Sequence, residues 1–440
     1  MPLKKKRSLS IIGGMLIIVT AMWGTGALAQ KTTELMLWHH EAPAHRVAAF
    51  QQVIGLFEEQ NPDIKVTQEI IMWGDAWVKT LAAIEVGNPP DLQFSLPDFL
   101  QTVYRTNSII PLTEIAKELD KKYHFYPSQI TPYYYKDEYW GIPVWSMVML
   151  LTYRPSYLEN AGLREPPKTW NELLDYAKKL TKKPDIYGIG LGGAKNLMVD
   201  EQAYIFMTNV GAKFFDEKGK VIFNNPGTIK ALKMYKDLFQ YCPPGAEAWS
   251  WGEMELNIAA GTVAMSPYFP SVQKRFYEEF DSHDYAGAHM PYPKDGQPGT
   301  ITYPNEIHVY KQAKVRGHLE ATEKFIKFIM QPKINYILTA VAEPGAFYPT
   351  TRAAEETPEF WRDPIISCFK KTNEIALEAL RYASLYGFEH GRWVNFGIGG
   401  ITGADILADV VHKVVTEEMS VESAVKWGQK EMEKMSIPVD

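Results

Sequence analysis

Cysteine is nearly absent from this chain: Cys242 and Cys368 are the only two in 440 residues. They can form one disulfide at most, and their positions leave a bridge and two isolated buried thiols equally open. Positive charge is also scarce. The formal net charge is −6, and an acidic chain is a poor partner for nucleic acid, whose affinity rests on Lys and Arg meeting phosphates. There is no G-x-S-x-G elbow and no P-loop, which removes two common enzymatic frames. His40-Glu41 is followed by His45 rather than by a histidine one residue nearer, and Pro43 lies between them. Two histidines one helical turn apart, as a zinc protease needs, are therefore not available, and no metal or cofactor is expected. Disordered and low-complexity segments are missing too.

What is there begins with a basic and then apolar N-terminus. Lys4, Lys5, Lys6 and Arg7 precede an apolar run from Leu9 to Trp23, and Ala27-Leu28-Ala29 supplies small residues where a signal peptidase reads. Residues 1–29 are expected to be a cleaved secretory signal. With no Cys beside the cleavage point the mature chain would carry no lipid anchor, and it is expected in the periplasm. Removing the signal moves the net charge from −6 to −10. The full chain is 46% hydrophobic and 22% charged, an ordinary globular balance, and is long enough for two or three domains.

Periodicity orders the rest. Glu34 to Trp38 alternates as a strand. Pro43 opens a helix with Val47, Phe50, Ile54 and Phe57 on one face, ending at Asn61-Pro62. Ile64, Val66, Gln68 and Ile70 alternate as a second strand, Trp77, Leu81 and Ile84 mark a second helix, and Asp91 to Leu96 is a third strand. Strands alternating with helices imply βαβ units and parallel pairing. Ile142 to Tyr153 is almost wholly apolar and too short to span a membrane, so it reads as one buried strand. Thr169 and Glu172 then form a capping box for a helix bearing Leu173, Ala177 and Leu180. Gly188 to Gly193 reads as a strand running into a flexible turn.

The segments LMLWHHE, FEEQNPDIKV, the W-x-D-x-W run at Trp73, GNPPDLQFSLPDFL, the Pro166-Pro167 helix entry and GAKFFDEKGKVIFNNPGTIKALKMYKDLF occur in a characteristic order. So do NIAAGTVAMSPY, HMPYPKDG and KFIKFIMQPKINYILTAVAEPGAFYPTTRAA. In that order the chain resembles the family 1 bacterial extracellular solute-binding proteins, the sugar-binding receptors of ABC importers, and more distantly maltose-binding protein. The resemblance implies an α/β fold of two lobes, the type II periplasmic-binding-protein fold, each lobe a mainly parallel sheet flanked by helices around a cleft at a multi-segment hinge. It places residues 30–148 plus 302–348 in the N-terminal lobe and 149–301 plus 349–440 in the C-terminal lobe. It also implies a monomer that catalyses no reaction and hands a small-molecule carbohydrate to the transmembrane subunits of an ABC permease.

Sugar rings have an apolar C–H face that an aromatic ring covers and an equatorial belt of hydroxyls that carboxylates and amides satisfy. Trp38, Trp73, Trp145, Trp249, Trp251, Tyr268, Tyr303 and Trp393 lie at breaks in the periodic pattern and are the candidate ring platforms. Glu41, Asp75, Asp98, Asn305 and Glu306 are the candidate acceptors, with Arg392 and His39 as polar partners and Gly193 as a point of close backbone approach. Glu41 and Asp98 sit at C-terminal strand ends, where ligands of open α/β sheets bind. Mainly Trp and carboxylate, the set favours a neutral sugar or oligosaccharide over a glycerol phosphodiester. An amine or peptide receptor and a secreted glycoside hydrolase are the competing readings.

Overall fold

The computed structural model describes residues 32–439, so the expected signal segment 1–29 lies outside the described residues. Strand alternation divides the first strand between two environments. In β1 (Thr33–His39) Leu35 and Leu37 enter one core, while Met36 and Trp38 pack into another on the opposite face. β2 (Ile64–Ile70) and β3 (Leu92–Ser95) run parallel to it on either side. A two-strand hairpin follows, β4 (Tyr134–Tyr135) with β5 (Glu138–Tyr139). Next come β6 (Ile142–Val148), β7 (Leu150–Tyr153), β8 (Met265–Tyr268), β9 (Ala286–Ala288), β10 (Thr302–Val309) and β11 (Tyr348–Pro349).

Two sheets organise two lobes. The larger has the order β11-β6-β10-β3-β1-β2 and the smaller β8-β7-β9. Parallel pairing is narrower than expected. It joins only β1 to β2 and β3, whereas β10 is antiparallel to β3 and β6, β11 is antiparallel to β6, and β7 is antiparallel to β8 and β9. The reason is connectivity. Parallel neighbours need a helical crossover, and β10 enters the larger sheet directly from the other lobe.

The apolar run expected as one strand is two. β6 belongs to the larger sheet and β7 to the smaller, with Met149 alone between them. The Met149 N–H donates to the Ile301 carbonyl at 3.3 Å, and the Thr300 hydroxyl donates to the Met149 carbonyl at 2.7 Å. Val148 and Leu150 share a small core with Tyr348, Ile366 and Leu377, so both faces of the crossing are covered. That double burial explains why the run shows no alternation.

Helices fall where their signals lie. Ala44–Gln60 buries Phe50, Val53, Ile54 and Phe57 beneath the larger sheet. Trp170–Leu180 starts with the expected capping box, in which the Glu172 N–H donates to Thr169 Oγ1 and the Thr169 N–H to Glu172 Oε2. Such a cap contributes about 1 kcal/mol. Cys242 and Cys368 are both free thiols, the first buried and the second 3.0 Å from His283 Nδ1.

Trp145 belongs to the core and not to a ligand surface. The register of β6 against β10 steps from Pro143↔Glu306 to Trp145↔Asn305, skipping Val144. This bulge turns Val144 and Trp145 together into the core beneath the sheet. There Trp145 stacks on Phe347 at 5.2 Å and packs on Phe94 at 4.9 Å and Phe50 at 6.0 Å. Trp145→Ala is expected to lower unfolding free energy by about 3–5 kcal/mol, read as an earlier urea midpoint; an unchanged midpoint would return the residue to the surface.

Candidate ligand-binding site

The two lobes meet over the face of the larger sheet that carries Trp38. Pro97 follows β3 directly and starts the helix Pro97–Arg105, which puts Asp98 in the first turn at the strand end. Its Oδ1 accepts the Phe99 N–H at 3.0 Å, and its Oδ2 accepts the Thr402 hydroxyl at 2.9 Å. Thr402 belongs to the helix Ile398–Gly403 of the other lobe. These helices touch at Gly399, where an added Cβ would lie 3.2 Å from the Asp98 carbonyl and 3.2 Å from Thr102 Oγ1. Nearby, Trp393 Nε1 donates to the Pro132 carbonyl at 2.6 Å, and its ring packs on Tyr135 and Tyr104. Tyr133 donates to the Pro304 carbonyl at 2.6 Å, and the Tyr303 and Tyr386 hydroxyls are hydrogen bonded to each other.

The helix Leu197–Asn209 supplies two further carboxylates to this contact. All but Leu197 of its thirteen residues are buried, so its two acids have no solvent face to occupy. Asp200 Oδ1 accepts the Ala408 N–H in the first turn of the helix Ile406–Val415. Glu201 is 2% exposed and its Oε2 has no hydrogen-bond partner. Burial holds Asp98, Asp200 and Glu201 above the usual carboxylate range, Asp200 and Glu201 far above it. Glu201 lies within electrostatic reach of Tyr268, Tyr303 and Tyr386. Among the described residues no Lys or Arg forms an ion pair with any of the three carboxylates. Asp200, Glu201, Tyr133 and Tyr386 were not anticipated from sequence; the signal available was a helix apolar on every side that nonetheless contains two acids.

A second charged group lies at the same edge of the lobes. Arg46 donates to Glu41 at 2.7 Å and to Glu343 at 2.6 Å, and His45 also meets Glu343 at 2.6 Å. Burial raises Glu41 despite Arg46; for Glu343 burial pushes upward too, but Arg46 and His45 outweigh it and the carboxyl is held low.

The expected residues separate into those at the lobe contact and those elsewhere. Trp38, Asp98, Tyr268, Tyr303 and Trp393 are buried there, and Asn305 is buried with its amide donating to the Tyr303 carbonyl. Trp249 is buried in the smaller-sheet lobe, where its carbonyl accepts from Asn196. Trp251 is half-buried, stacked on Phe269 at 5.5 Å, and its carbonyl accepts the Tyr268 hydroxyl. Trp73 is half-buried with its ring 3.9 Å from that of His40.

Five expectations are corrected besides Trp145. His39 lies on the core face of β1, stacked on Phe50 at 4.1 Å and bonded to Gln68, and burial lowers it to about 4. Asp75 is exposed and pairs with Lys79, because it occupies the outer side of its helix. Glu306 is fully buried inside the larger lobe, bonded to Ser95 and His308. Arg392 is exposed and donates to the Glu217 carbonyl. Gly193 is a packing glycine, since a Cβ would lie 2.9 Å from Glu247 Cα and 2.8 Å from a Val415 methyl. Gly188, Gly190 and Gly193 do fall in G-x-G-x-x-G spacing. Each is nevertheless enclosed by scaffold atoms, and the next helix starts only at Leu197.

Residues 43–336 match the bacterial extracellular solute-binding protein family. The chain belongs to that family. Among curated relatives of this solute-binding protein, the putative ABC transporter periplasmic-binding protein YcjN of Escherichia coli K12 is 24% identical over 405 residues, covering 90% of this chain and 91% of its own. The sn-glycerol-3-phosphate-binding periplasmic protein UgpB of Escherichia coli O1:K1 is 26% identical, covering 70% of this chain and 72% of its own. Among solved structures, a solute-binding protein of Thermotoga lettingae bound to alpha-D-tagatose superposes with a TM-score of 0.73 at 24% identity, covering 92% of this chain and 100% of that one. Maltose-bound MalE3 of T. maritima gives 0.75 at 19% identity with the same coverages. These likenesses establish the two-lobed fold of a substrate-binding protein, and the family is not one of enzymes.

Two outcomes are expected of this solute-binding protein. A carboxyl raised by folding weakens stability as pH rises above its unfolded value, because the native state then holds a proton that the unfolded chain has released. Glu201→Gln should therefore raise the melting temperature, with a larger gain at pH 8 than at pH 5; equal gains at both would show that Glu201 is unperturbed. Gly399→Leu should hold the lobes apart, enlarging the radius of gyration measured by small-angle X-ray scattering, whereas wild-type dimensions would mean that this contact does not limit closure.

Proposed function

We propose that this solute-binding protein captures a phosphate-free sugar or oligosaccharide between its lobes and delivers it to the transmembrane subunits of an ABC permease. The observation that carries the reading is the set of buried carboxylates and tyrosine hydroxyls among aromatic rings, with no cation paired to them. Sugar hydroxyls pair with carboxyl groups and rings cover C–H faces, whereas a phosphodiester needs a cationic partner that the described residues do not place there. The tagatose- and maltose-bound relatives of the same fold support a carbohydrate. We take residues 30–148 plus 302–348 and residues 149–301 plus 349–440 as the lobes, joined at Met149, near Ile301 and near Pro349. In this reading the mature chain is a periplasmic monomer released from its signal segment, and lobe closure around the ligand prepares it for the permease.

Thermal shift against mono- and oligosaccharides and glycerophosphodiesters tests it, because a ligand of the native state at one hundred times its Kd adds about 2.7 kcal/mol. Stabilisation by one sugar class is expected; stabilisation by glycerophosphodiesters alone would overturn the reading, as would sustained release of reducing ends from an oligosaccharide. Trp251→Ala should weaken sugar binding about tenfold, the loss of one aromatic platform, measured by calorimetry on the folded variant. Unaltered affinity would assign Trp251 to packing against Phe269.

A further inference from the structure

The carboxyl groups at the lobe contact have no cationic partner among the described residues, and burial favours their protonated forms until one arrives. Asp98 and Asp200 are met by neutral donors, the Phe99 and Ala408 N–H groups and the Thr402 hydroxyl. Glu201 Oε2 is met by none. Arg46 and Arg275 are engaged elsewhere: Arg46 lies between Glu41 and Glu343, and Arg275 binds Glu279 and Glu255. Trp38 Nε1 and Gln101 Nε2, the latter in the helix that carries Asp98, are buried donors without a partner among the described residues. A ligand matched to the three carboxyl groups brings hydrogen-bond donors and positive charge.

Neutral hydroxyls supply donors but no charge. A buried carboxylate is stabilised far more by an ionised partner than by a neutral one, because desolvation has removed the water that would otherwise screen it. Tyr268 and Tyr303 lie within electrostatic reach of Glu201, and aromatic rings attract a cation. Resting on the carbohydrate reading above, we propose that the preferred ligand is an amino sugar, with its protonated amine held against Glu201 and its ring hydroxyls shared among Asp98, Asp200 and the Tyr303–Tyr386 pair. The sugar scaffold stays phosphate-free; the amine narrows the class and sets it apart from neutral sugars of the same shape.

Matched ligands separate the two levels. Calorimetry on the full mature protein would compare glucosamine with N-acetylglucosamine and glucose, and chitosan dimer with chitobiose and cellobiose. The free-amine member of each set is expected to bind at least about tenfold more tightly, the worth of one charge-assisted bond. Glu201→Gln should bring the amine-to-acetyl affinity ratio close to one, whatever it does to absolute affinity. Equal or tighter binding of the neutral members overturns the amine inference and leaves the carbohydrate reading standing. An unaltered ratio in Glu201→Gln overturns the assignment to Glu201. Binding of putrescine or ethanolamine with no sugar bound at all overturns the carbohydrate reading itself. The wild-type comparison needs no variant, so a Glu201→Gln chain that fails to fold still leaves the amine preference decided.

Discussion

Carboxylates taken out of water need either a proton, a cation or a dense set of donors, and at the junction of these lobes only the first and third are supplied by the protein. Asp98 is held by a backbone N–H of its own lobe and a hydroxyl from the other, so the contact itself is part of what satisfies it. Separate the lobes and Thr402 leaves with its helix. Glu201 is less well served, and it is the group that gains most from a ligand. The energetics of closure and of ligand capture are thus written into the same few atoms.

Contrast with the neighbouring charged group clarifies the division of labour. Glu41, Arg46, His45 and Glu343 form a network in which charges meet, and all four come from the larger-sheet lobe. It fixes the start of the helix Ala44–Gln60 against the segment preceding β11 and needs nothing from outside. The group around Glu201 draws on both lobes and, among the described residues, contains no compensating charge. Internal completeness marks the first as scaffold, and incompleteness in the second is what the proposed ligand would relieve.

The elements that sequence revealed were those whose signals are local. Thr169 with Glu172 caps its helix as those residue types require. The alternation of β1 and β2 was visible for the same reason. Sheet partners were not, because β10 lies between β3 and β6 through contacts more than 150 residues apart, and nothing in TYPNEIHV states its direction. Site residues split along the same line. Asp98 was legible from its place after a strand and beside a proline. Trp145 was misplaced because a one-residue bulge reversed the face on which it lies, and His39 because the first strand continues one residue farther than its alternation suggested. Asp200 and Glu201 were invisible as site residues, since only the packing of their helix on every side shows that two ordinary acids are enclosed.

The single residue between β6 and β7 has a mechanical meaning. Met149 is tied to Thr300 and Ile301, so the connection is a short pin, and plates joined by such a pin can swing but cannot slide apart. Gape is then set by angle alone, narrowest at the axis and widest at the rim. A compact ring fits at any depth where the angle matches its thickness. A long chain cannot prop the plates open evenly, so its extra units would have to trail out past Trp73 and Trp251, the half-exposed rings at the edge.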